Sequence, residues 1–63
     1  MSRIVQTKTV AGKQIEVHED SHGQRRYWAK VDGIALFQRG RMRLRTFTTA
    51  DAARDAAIAE ART

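Results

Sequence analysis

Apolar and polar residues alternate along most of this chain, and the alternation then gives way to an alanine-rich stretch. Period two marks a strand with one buried face. Residues 3–10 are rich in β-branched side chains and predict a first strand. Ala11-Gly12 can turn the chain. Residues 13–20 alternate around Ile15 and Val17, a second strand. Ser21 to Gln24 reads as a turn. Residues 25–31 predict the clearest strand. Tyr27, Ala29 and Val31 share one side, and Arg26, Trp28 and Lys30 share the other. Asp32-Gly33 is a strong two-residue hairpin signal.

Two paths fit the stretch from Ile34 to Phe47. One is a single long strand. The other is a short strand, a turn at Arg39-Gly40 and a further strand. Ile34, Leu36, Met42 and Leu44 share one parity, and Arg39, Arg41, Arg43 and Arg45 share the opposite one. The end of the chain predicts a helix. Thr48 or Thr49 can cap it, and Thr48 with Asp51 resembles a capping box with Asp in the place of Glu. Seven alanines between positions 50 and 61 favour helix. Ala50, Ala53 and Ala57 form the expected buried stripe, with Ala52, Ala56 and Ala59 as a competitor.

The expected architecture is an α+β domain: a three- to five-stranded antiparallel sheet with one C-terminal helix packed on one face. A lone sheet must bury one face, and one helix can cover only one. The parity of Tyr27, Ala29, Val31, Met42 and Leu44 is then expected to face the helix. Arg26, Trp28, Lys30, Arg41, Arg43 and Arg45 are expected to share the uncovered face.

Composition narrows the function. The 63 residues predict a single small domain over 1–63, with one modest core and little room for a deep catalytic cavity. There is no cysteine, hence no disulfide and no thiolate metal site, which suits a reducing, cytoplasmic setting. No apolar run is long enough to span a membrane, and no secretory signal is read at the N-terminus. Twelve Lys and Arg against seven Asp and Glu give a net charge of +5. Positions 23–47 hold seven of those cations and a single acid, Asp32. Such a balance favours anionic partners.

That excess is organised. On an extended strand Arg39, Arg41, Arg43 and Arg45 project to one side and span roughly 20 Å, on the order of six base-pair steps. Guanidinium forks bind phosphate and can pair with guanine edges. A two-stranded ribbon fits a major groove. Trp28, interleaved with Arg26 and Lys30, can pack on a sugar or a base, or simply cover apolar surface beneath cation stems. The candidate nucleic-acid-binding set is therefore Arg26, Trp28, Lys30, Arg39, Arg41, Arg43 and Arg45, with duplex DNA the expected partner. Glu16, His18 and Asp20 share the outward parity and add acid to the same face. Glu16 either pairs with an arginine or repels a phosphate.

The alternative is a protein-interaction or homodimerisation module. Trp28, Phe37 or Ile58 would form a self-association patch or dock an acidic partner. His18, His22, Glu19 and Asp20 do not make a metal site, because the stretch reads as strand and turn and adjacent carboxylates on a strand point apart. No serine or cysteine lies in a catalytic setting. The expectation is a non-enzymatic domain with no metal and no cofactor.

Leu44 to Ala53 resembles the last strand and helix start of the plant APETALA and ethylene-response-factor DNA-binding domain, and Tyr27 to Val31 is similar to that family's aromatic-Ala-Ala-Glu-Ile strand. The related arm-binding domains of phage and transposon integrases share a three-strand sheet followed by a helix. The likeness covers about positions 27 to 57. It implies a sheet that enters the major groove, with Arg41 and Arg43 at outward DNA-contacting positions and Lys30 where that family has a contacting acid. It also implies that Met42, Leu44 and Phe47 belong to the core.

Overall fold

The computed structural model describes residues 2–20, 26–37 and 44–63. Four strands precede one helix: β1 (Ser2–Val10), β2 (Lys13–Asp20), β3 (Arg26–Val31), β4 (Ile34–Ala35) and α1 (Ala50–Ala61). The strands form one antiparallel sheet in the order β1-β2-β3-β4. The expected turn over 21–24, and Arg25 at the expected start of the third strand, lie outside the described residues.

Both described hairpin turns need a left-handed backbone. Ala11 and Gly12 have φ of 53° and 76°, and Asp32 and Gly33 have φ of 52° and 80°. Two consecutive positive values match the right-handed twist of the flanking strands. Asp32 tolerates this conformation and gains from it. Its carboxylate accepts from the Gln14 backbone N–H at 2.9 Å, and its own N–H donates to the Gln14 carbonyl at 2.8 Å. The hairpin tip is thereby tied to the start of β2.

β1 contains a bulge. Ile4 pairs with His18, but the next register partner, Val17, is met by Gln6. Val5 and Val10 lie an odd number of residues apart, so a regular strand would point them to opposite faces. Both pack against the core. The extra residue reverses the parity and lets one strand bury both.

The core joins Ile15, Val17, Ala29, Val31 and Leu36 of the sheet side to Ala53, Ala57 and Ala61 of the helix. Methyl side chains let α1 lie close over the sheet. The helix rotation follows the first expected stripe, extended by Ala61, with Ala50 partly buried and Ala59 exposed. Thr49 is the cap: its hydroxyl accepts from Ala52 N–H at 3.1 Å. Asp51 sits in the first turn, where the helix dipole favours an anion, and pairs with Arg54 at 3.3 Å.

The edge beyond β3 is shared between two segments. Ile34 and Ala35 pair with Val31 and Lys30. Leu36 donates to the Ala29 carbonyl at 3.0 Å, and Phe37 bridges to Leu44. Phe47 then takes over, exchanging backbone bonds of 2.9 and 2.7 Å with Tyr27. This pairing corrects two expectations. Phe47 lies beside Tyr27 and packs on the core, so Arg45, two residues earlier, falls on the helix side. Its guanidinium rests 5.0 Å from the Phe47 ring centre. Leu44 has the opposite parity and is half-buried outside the core. Phe47 has more apolar area to bury than Leu44 and prevails. The implied core pair Leu44 and Phe47 is thus reduced to Phe47, while Met42 lies outside the described residues.

Candidate nucleic-acid interface

The helix covers one side of the sheet, and the register fixes what stands on the other. Residues directly opposite across antiparallel strands share a face. His18 pairs with Ile4 on one flank and Trp28 on the other. Glu16 pairs with Thr7 and Lys30, and Asp20 pairs with Ser2 and Arg26. Leu36 is buried in the core, so the alternation turns Phe37 to this same open side.

The centre of the face is a stack. The His18 and Trp28 rings lie 4.2 Å apart with 16° between their planes. Lys30 holds its ammonium 5.6 Å from the indole centre. The His18 ring nitrogen Nε2 lies 3.2 Å from Glu16 Oε1. His18 is only 8% exposed although no helix covers it. Its neighbours on the sheet, the indole above all, shield it. Sequence parity had put His18 on this face as an ordinary surface side chain. Its burial beside Trp28 follows from the β2–β3 register, which alternation alone does not specify.

Of the expected contact residues, the structure brings Arg26, Trp28 and Lys30 onto one strand of the open face. Arg45 is placed away from them, on the helix side. Arg39, Arg41 and Arg43 lie outside the described residues. Among the described residues the bonded partner of Glu16 is His18. Glu19, by contrast, is turned to the helix side. It accepts from the Tyr27 hydroxyl at 2.9 Å and pairs with Arg3 at 3.2 Å. That carboxylate clasps the open end of the sheet across three strands.

Among the described residues, Ile4 borders the stack as the cross-strand partner of His18, and Phe37 is a second exposed large apolar side chain. Ile4 is 51% exposed and Phe37 is 54% exposed. Among the described residues the open face therefore combines a stacked aromatic pair, exposed apolar surface, the cations Arg26 and Lys30, and the carboxylates Glu16 and Asp20.

A separate open cleft of about 710 Å³ lies on the helix side, between the β3–β4 hairpin and the last turn of α1. Val31, Ile34 and Leu36 supply apolar lining, and Lys13, Arg45 and Glu60 supply charge of both signs. Among the described residues no cluster of three or more His, Asp or Glu could hold a metal ion. Among them, too, no helix is long and apolar enough to cross a membrane.

No protein family, curated protein or solved structure matches the chain. The functional reading therefore stands on geometry and chemistry.

Proposed function

We propose that this is a non-enzymatic nucleic-acid-binding domain that meets duplex DNA with the open face of its sheet. The observation that carries the reading is the Arg26–Trp28–Lys30 row, with its indole pinned against His18 on the face the helix leaves bare. A pinned indole holds the ammonium of Lys30 in a fixed place at little entropic cost. Residues 38–43, between Phe37 and Leu44, add Arg39, Arg41 and Arg43 to the chain's positive charge. This use of the sheet is also what the resemblance to the APETALA and ethylene-response-factor domains implies. A cytoplasmic setting accords with the absence of cysteine.

Titration of a short random-sequence duplex against salt tests the reading. If Arg26, Lys30, Arg39, Arg41 and Arg43 each neutralise a phosphate, log K falls with log salt at a slope of about −4.5. Absence of salt-dependent binding to any DNA or RNA ends it.

A second reading has its own support. Ile4, opposite His18, and Phe37 expose apolar surface, and the two charge signs on the open face can complement a second copy. A homodimer closed over the open face would bury Trp28. Sedimentation analysis separates the two: a monomer whose indole responds to added duplex supports DNA binding, and a stable dimer with a dry indole supports self-association.

A further inference from the structure

We infer that Glu16, His18 and Trp28 form a proton-operated switch that sets the charge of the open face. In its neutral form His18 donates from Nε2 to Glu16, and the carboxylate keeps its full negative charge next to Lys30, its cross-strand partner. Uptake of a proton on the other ring nitrogen turns the same contact into an ion pair. The geometry need not change, because the 3.2 Å contact suits both states. The face gains one positive charge, and Glu16 ceases to oppose a phosphate approaching Lys30. The indole stacks on the imidazole 4.2 Å away, so the ring that takes the proton lies directly against Trp28.

Among the described residues, the charged groups on the face of His18 are on the same two strands. β2 contributes Glu16 and Asp20, and β3 contributes Arg26 and Lys30 along with the indole. β1 contributes the uncharged Ile4. The helix lies on the far side of the sheet.

The consequence for binding rests on the nucleic-acid reading, whereas the proton site itself does not. By linkage, a phosphate held near Lys30 raises the proton affinity of His18, and protonation raises phosphate affinity by the same factor. Binding of a polyanion to this face therefore tightens as pH falls.

Trp28 is the only tryptophan and reports the switch directly. The experiment follows its emission from about pH 8 to pH 5, the range in which histidine changes charge. The scan is run with and without a random-sequence duplex, for the native chain, His18→Asn and Glu16→Gln. The expected result is one emission transition in the native chain that vanishes in His18→Asn. In Glu16→Gln it moves to lower pH, because the protonated ring has lost its counter-charge. Duplex binding by the native chain is expected to tighten about threefold to tenfold across the scan, and by less in His18→Asn. If His18→Asn fails to fold, the Glu16→Gln displacement decides alone. A flat emission in the native chain, or a transition unmoved in Glu16→Gln, overturns the switch. A native chain that shows the transition and binds duplex equally at every pH overturns its coupling to binding. A chain that shows the transition but binds nucleic acid at no pH upholds the proton site and overturns the proposed function.

Discussion

Trp28 lies parallel to His18, 4.2 Å away, on the sheet surface that the helix leaves uncovered. An indole on such a surface is ordinarily free to rotate. Here a cross-strand imidazole immobilises one ring face and Glu16 anchors the imidazole in turn. The packed indole thus serves as a mount for the cation of Lys30, which lies 5.6 Å from its centre.

This mount separates two basic residues that the sequence treats alike. Lys30→Gln is expected to reduce the salt slope of duplex binding by about 0.9, one phosphate contact. Arg45→Gln is expected to leave the slope unchanged, because Arg45 lies over Phe47 on the other side of the sheet. Equal losses from the two variants would show that the open face is not the contact surface.

Ala11 adopts φ of +53°, a conformation that costs a Cβ-bearing residue about 1 kcal/mol. Ala11→Gly is expected to stabilise the protein by about 0.5 kcal/mol, the relief of strain being offset by the greater freedom of glycine in the unfolded chain. The gain is checked by urea unfolding at constant m value. Gly12→Ala is expected to act in the opposite sense. The added methyl meets nothing within 4 Å, so its cost is backbone strain alone, about 1 kcal/mol.

Ala53 and Ala57 are fully buried against the sheet, whereas Ala59 faces solvent. Ala57→Leu is expected to cost about 1–3 kcal/mol through overpacking. Ala59→Leu is expected to stay within about 0.5 kcal/mol of the native stability. Thermal unfolding of the pair reads out the helix rotation.

Thr49 and Thr48 also part company. Thr49→Ala removes the hydroxyl that accepts from Ala52 and is expected to cost about 1 kcal/mol. Thr48→Ala, outside the cap, is expected to be nearly neutral. Helical circular dichroism and unfolding midpoints distinguish the two.

The candidate face was partly legible before any coordinates. Period two in β3 set Trp28 between Arg26 and Lys30, and the helix could shield only the other side. The same reasoning misplaced Arg45, because it took parity from Leu44 while the sheet takes it from Phe47. It also left His18 as a surface residue. A histidine beside a tryptophan is visible only when the two strands are aligned, and alternation constrains faces without constraining register.

Consecutive residues by themselves determined the first three strands, the turn at Asp32-Gly33 and the alanine helix. Period, turn chemistry and helix propensity are properties of neighbours in the chain, and each pointed to the same architecture. Tertiary structure alone decided the bulge that buries both Val5 and Val10, the inward side of the segment ending at Phe47, and the stack of His18 on Trp28. Those outcomes arise from competition among side chains distant in sequence for one small core and one open face, and that competition is settled only when the strands and helix meet.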